Sequence, residues 1–131
     1  MKVVAATLAA IALITGCQGD ETLRAYGAAD RIWTLKELDG APFTASATLT
    51  FPQVGEIAGV APCNGYSATM TAPYPWFEAG PIAATRRSCP DLAAETAFLK
   101  ALTEATLAEV ADDTLILSNP DGLTMVFGAS D

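Results

Sequence analysis

Histidine is absent from the 131 residues, and only 7 of them are lysine or arginine. The first absence excludes serine and cysteine nucleophiles activated by imidazole, along with most zinc catalysis, and so removes the commonest hydrolases. The scarcity of cations leaves no basic footprint for nucleic acid: 15 acidic residues bring the formal charge to −8, which repels phosphate backbones and anionic headgroups. Electrostatics favour a cationic partner, although the same charge also serves simply to keep a small domain soluble. No glycine-rich phosphate cradle is present, since Gly55 and Gly59 stand apart at strand ends, where glycine serves a bend or close packing. Long apolar runs are missing after the N-terminus, and the run there falls short of the roughly 20 residues of a membrane-spanning helix.

What the N-terminus does contain is a basic start, Met1-Lys2, followed by an uncharged apolar stretch over residues 3–14, the pattern of a secretory signal. Its end, Leu13-Ile14-Thr15-Gly16-Cys17, resembles the bacterial lipobox, in which small residues precede a cysteine that is lipid-modified before cleavage. Residues 1–16 are then the signal peptide, and more than one acyl chain on Cys17 gives a stable hold on a membrane. Gln18 rather than aspartate follows the cysteine, which by analogy with enteric bacteria favours the outer membrane. Residues 17–29 lack strong periodicity and read as a lipidated tether, with one domain over 30–131. Of the 7 cations only Lys2 is lost with the signal, so six face 15 acids and the mature formal charge becomes −9. The expected location is the cell envelope, lipid-anchored and facing the periplasm.

Cysteine is scarce as well, and with Cys17 taken by lipid the remaining two are Cys63 and Cys89. An even pair in an oxidising compartment reads as a disulfide. A redox pair and a metal site are the competing readings. Redox chemistry favours a close C-x-x-C spacing, and zinc needs four ligands where this chain offers two thiols and no histidine. No metal or cofactor is therefore expected.

Alternation places Trp33 and Leu35 on one face of a strand over residues 31–38, which ends at the turn pair Asp39-Gly40. A second strand over 47–51 is closed by Pro52, and short strands follow over 56–60 and 66–71. Residues 76–80 and 82–85 make a fifth extended segment. From Pro90 the period becomes helical, with Leu92, Phe98, Leu99 and Leu102 recurring to about Thr106. Strands over 108–110, 114–118 and 123–127 complete the chain, the last two joined through Asn119-Pro-Asp-Gly122. Many short strands with one main helix predict an α+β domain, a small antiparallel sheet that curls over the helix or closes partly into a barrel.

Candidate chemistry is thin. Asp112-Asp113 beside a hairpin reads as a solvated turn, and no two acids are marked as an acid/base couple. Arg86-Arg87, the one basic cluster, stands before the helix start, where two guanidinium groups could hold an anion or a carboxylate. Trp33, Tyr66, Tyr74, Trp76 and Phe77 could line a cavity for a small apolar ligand, although core packing accounts for them equally.

The parts resemble a known family, the META or HslJ-like domain. They are Trp33-Thr-Leu35 with Leu38-Asp-Gly40, Leu49-Thr-Phe51, Gly59 with Cys63-Asn64-Gly65-Tyr66, Thr85-Arg86-Arg87-Ser88-Cys89, Glu95 through Phe98-Leu99 to Ala101-Leu102, and Leu115-Ile-Leu117 with Phe127. Pro62 departs from the family, which usually has glycine before the cysteine, and Gly65 stands where a basic residue is common after Asn64. The resemblance implies a compact α+β fold with a curled sheet and a helix. It implies no established enzyme activity, and a binding or structural role tied to envelope stress, secretion or motility. The sequence reading is thus a non-enzymatic envelope lipoprotein that binds a protein partner or supports the envelope under stress. Asn64, Tyr66, Arg86, Arg87, Trp33 and Trp76 are its candidate contacts. Its alternatives are a carrier of a small apolar ligand or lipid, and an inhibitor of a cationic lysozyme-like enzyme.

Overall fold

The structure, a computed structural model, describes residues 19–130, so the signal segment and Cys17 lie outside the described residues. The strands are β1 (Ile32–Leu38), β2 (Ala41–Pro42), β3 (Thr48–Gln53), β4 (Glu56–Val60), β5 (Gly65–Thr69), β6 (Ala83–Ala84), β7 (Leu107–Ala111), β8 (Thr114–Ser118) and β9 (Thr124–Ser130). One helix, α1, spans Leu92–Glu104, and a 3-10 turn spans Leu23–Tyr26. The strands run antiparallel in the order β6-β5-β4-β3-β1-β9-β8-β7, and β2 folds back on β1. The expected α+β architecture is the observed one: a curled antiparallel sheet, not closed by its ladders, with one helix.

Alternation explains which face is the core. Trp33 and Leu35 of β1, Leu49 and Phe51 of β3, Leu115 and Leu117 of β8, and Met125 and Phe127 of β9 are all buried. Each large apolar side chain removed from water contributes about 1.5–3 kcal/mol, so these pairs set the register. Phe98, Ala101 and Leu102 of α1 enter the same core, where the Phe98 ring meets Tyr66 edge-on at 5.6 Å. The Asp39-Gly40 turn takes positive φ at both residues, 52° and 80°, the conformation that lets a two-residue hairpin follow the twist of β1.

Three details differ from the sequence expectation. Pro52 does not end β3, which continues to Gln53; the register of β3 against β4 shifts between Thr50 and Gln53, an irregularity where a residue without an N–H fits. The extended segment expected over 76–80 and 82–85 shrinks to the two residues of β6. Pro73, Pro75 and Pro81 each lack a ladder donor, and residues 74–80 instead form a strap. Its Pro75 carbonyl accepts from Ala108 N at 2.8 Å, Phe77 N donates to Thr106 O at 2.9 Å, and Gly80 N donates to Thr69 O at 2.8 Å. The strap therefore reaches from β7, one margin of the sheet, to β5 near the other. Lastly, residues 22–29, assigned to the tether from their lack of periodicity, pack onto the domain: Leu23 and Ala28 are fully buried, and Tyr74 N donates to Glu21 O at 2.7 Å. A 3-10 turn of four residues is too short for a periodicity to register.

Candidate functional site

The polar interior gathers where α1 begins. Asn64, in the loop between β4 and β5, is 2% exposed, and Glu95, in the first turn of α1, is 5% exposed. One Glu95 oxygen accepts from the backbone N–H groups of Cys63 at 3.0 Å and Asn64 at 2.8 Å, and the other accepts from Asn64 Nδ2 at 2.7 Å. Asn64 Nδ2 also donates to Arg87 O at 2.9 Å, while its Oδ1 accepts from Arg87 N at 2.6 Å and Thr85 Oγ1 at 3.0 Å. An asparagine amide offers two donors and a two-lone-pair acceptor, and here all four places are used. A buried carboxylate without donors would be costly; three N–H groups and the positive end of the α1 dipole offset its desolvation.

A disulfide reinforces the same place. Cys63 and Cys89 are bonded, with Cα atoms 5.7 Å apart, so the loop before β5 and the segment entering α1 are joined covalently as well as through Asn64. In the chain-entropy model a loop of this length is worth roughly 3.5 kcal/mol. Three segments distant in sequence thus meet at one node: the loop over 61–65, the segment over 85–89, and the first turn of α1. Above the node the side chains of Arg86 and Arg87 are exposed. The Arg87 backbone is gripped through both its N–H and its C=O, so its guanidinium is displayed from a backbone held on both sides.

Beside the node, the Tyr66 hydroxyl donates to Thr48 O at 2.6 Å. Gly59 makes this approach feasible, since a Cβ there would lie 2.1 Å from Thr48 O and 2.8 Å from the Tyr66 hydroxyl. Burial pushes the Tyr66 phenol well above its ordinary value near 10.

The sequence-derived contacts divide into two groups. Asn64 is buried in the node and Tyr66 beside it, and Trp33 is fully buried with its indole N–H donated to Ala28 O at 3.0 Å, so the contacts these three side chains make lie inside the domain. Arg86, Arg87 and Trp76 are exposed, but they do not converge. Trp76 lines an open groove of about 700 Å³ with Thr103, Ala105 and Thr106, at the far end of α1 from the arginines. The 13-residue helix between the two places is itself about 20 Å long. The aromatic cavity does not form: Trp33, Tyr66 and Phe77 fill the core, while Trp76 is 56% exposed. Glu95 was not among the sequence-derived contacts, although its signal was present: it stands in phase with Phe98 and Leu102 on the buried face of α1. Among the described residues no group of three or more potential metal ligands occurs, and no helix is long and apolar enough to cross a membrane.

The residues of the node are those on which the family resemblance rested, and the sequence model of the META domain matches residues 27–131. The chain belongs to the META domain family. Solved structures carry the same fold: an NMR structure of a protein from Burkholderia xenovorans is 25% identical, with a TM-score of 0.63, covering 82% of this chain and 86% of that one. The crystal structure of a DUF4847 family protein from Bacteroides vulgatus is 14% identical, with a TM-score of 0.67 over 79% of this chain and 95% of its own, a likeness of fold alone. The comparison with curated proteins returns no match. The META domain is not known as an enzyme, and in this member the polar groups at the node are consumed by one another.

Proposed function

We propose that this META domain protein is a non-enzymatic envelope lipoprotein, anchored through Cys17, that binds a protein partner through the loop carrying Arg86 and Arg87, in the setting of envelope stress. The supporting observation is the grip of buried Asn64 on the Arg87 backbone within a disulfide-closed loop. Arginine is enriched at interfaces, and a side chain displayed from a fixed backbone loses less conformational freedom on binding than one on a mobile loop. Two adjacent guanidinium groups suit a carboxylate of the partner. Val60 and Leu92, at the two sides of the same loop cluster, are exposed at 60% and 43% and supply apolar contact around the charges. The carrier reading has less to stand on, because aromatic side chains fill the interior and the groove beside Trp76 is open.

The test is photocrosslinking in cells, with a photoreactive residue placed at Arg86 and, in a second variant, at Asp121 in the exposed β8–β9 turn. A discrete protein adduct from position 86, absent from position 121 and lost in an Arg87→Glu background, is the expected outcome. A folded, exported protein giving no adduct at 86 contradicts the reading.

A further inference from the structure

The packed residues near the N-terminus show which end of the domain faces the anchor. Glu21 O accepts from Tyr74 N at 2.7 Å, and the Tyr26 ring stacks on the Tyr74 ring with centroids 4.6 Å apart. The chain therefore leaves the domain beside the strap. Cys17 is only four residues before Glu21, a reach of at most about 14 Å even when fully extended. The long tether expected from sequence would have left the domain free to rotate; this short one holds one end of it close to whatever Cys17 enters.

That end is built from interfacial residue types. The strap runs along β7, with Ala108 N donating to Pro75 O at 2.8 Å and Val110 N to the Tyr74 hydroxyl at 3.2 Å. Trp76 lies beyond Tyr74 on the strap, bridged to Leu107. Trp76 and Tyr26 are 56% and 55% exposed, an arrangement without use in the core. Amphipathic rings of this kind settle at the headgroup level of a bilayer, with the apolar body inward and the polar tip wet. The surrounding charge is acidic: Glu78 lines the Trp76 groove, Glu109 lines the surface beside Tyr74 and Pro75, and Glu21 is exposed. Arg24, the cation of the 3-10 turn, is engaged by Asp20 at 3.6 Å and by Phe51 O at 3.1 Å. Such a surface fits a neutral headgroup and is repelled by an anionic one.

We propose that the strap face, with Trp76, Tyr74 and Tyr26, rests on the zwitterionic lipid surface that holds the Cys17 anchor, orienting the domain so that the Arg86–Arg87 end points away. This rests on the lipoprotein reading of Cys17. α1, about 20 Å long, has the arginine loop at its start and the Trp76 groove at its end. Trp76 of the membrane contact and the arginines of the partner contact then lie at opposite ends of α1.

Tryptophan quenching tests it on the full acylated chain, purified with its lipid and reconstituted in phosphatidylcholine vesicles with or without brominated acyl chains. Trp33 is fully buried in the core and supplies an internal constant, so the Trp76 contribution is the difference between wild type and Trp76→Phe. Loss of most of the Trp76 emission in brominated vesicles, with Trp33 unchanged, is the expected result. Weaker quenching in phosphatidylglycerol-rich vesicles supports the neutral-surface part, whereas equal or stronger quenching there contradicts it. Unquenched Trp76 in a chain whose acyl mass is confirmed overturns the inference, leaves the lipoprotein reading standing and assigns the groove to another occupant. A mature chain without acyl mass on Cys17 overturns both.

Discussion

The two ends of α1 carry exposed residues of different kinds, and the structure supports them in different ways. At the N-terminal end a buried asparagine, a buried glutamate and a disulfide fix a loop that would otherwise be mobile. At the C-terminal end a proline-rich strap is held by backbone bonds, the Tyr74 hydroxyl and the buried Phe77 ring, and it carries Trp76 exposed on its surface. Changes within the buried node should therefore reach global stability, whereas changes to the exposed side chains at either end should alter the surface while leaving stability nearly intact.

The disulfide offers the largest way to break this contrast. Replacing both Cys63 and Cys89 with alanine should destabilise by roughly 3.5 kcal/mol, read as a lower urea midpoint. Asn64→Ala comes next at about 3 kcal/mol, because it removes a buried donor from Glu95 and leaves the part-buried Arg87 N–H and C=O without their partner. If Asn64→Ala instead behaves like a surface substitution, the node is not what fixes the loop.

Gly59→Ala should cost about 2 kcal/mol, since the new methyl must displace a backbone carbonyl 2.1 Å away. Tyr66, which shares that contact, sharpens the comparison through pH. Its phenol is raised in the folded state, so an unfolded chain releases the proton near pH 10 while the folded one retains it. The associated stability is fully present below pH 10 and falls above it, by up to about 1.4 kcal/mol per pH unit. Urea midpoints of wild type and Tyr66→Phe should therefore converge between about pH 9 and about pH 11. At the other end, Trp76→Ala should shift the midpoint by less than about 1 kcal/mol. Arg86→Glu with Arg87→Glu should shift it least, within about 0.5 kcal/mol, yet abolish the crosslink from the loop.

How much of this was readable beforehand follows from the range of the interactions involved. The strands and α1 announced themselves because alternation at Trp33 and Leu35, or helical spacing from Phe98 to Leu102, is a local signal. The curled sheet followed from their number and order. The node was half visible: its residues carried the family pattern, but Asn64 was taken for a contact because its partner lies 31 residues away on α1. Glu95 was overlooked as part of the site for the converse reason, since an acid on an apolar helix face has meaning only once its donors are in place. The strap and the packed 3-10 turn had no periodicity to read. Prolines at 73, 75 and 81 and the four-residue turn take their positions from β7 and Tyr74, which only the folded chain brings near.

Residue-resolved hydrogen exchange under native conditions tests most directly whether Asn64 fixes the arginine loop. The account predicts that the Arg87 amide, donated to buried Asn64 Oδ1, exchanges nearly as slowly as the core strands, together with the Cys63 and Asn64 amides held by Glu95. An Arg87 amide exchanging as fast as an unprotected surface amide would contradict it, because the loop would then be open in solution and Arg87 displayed from no fixed base.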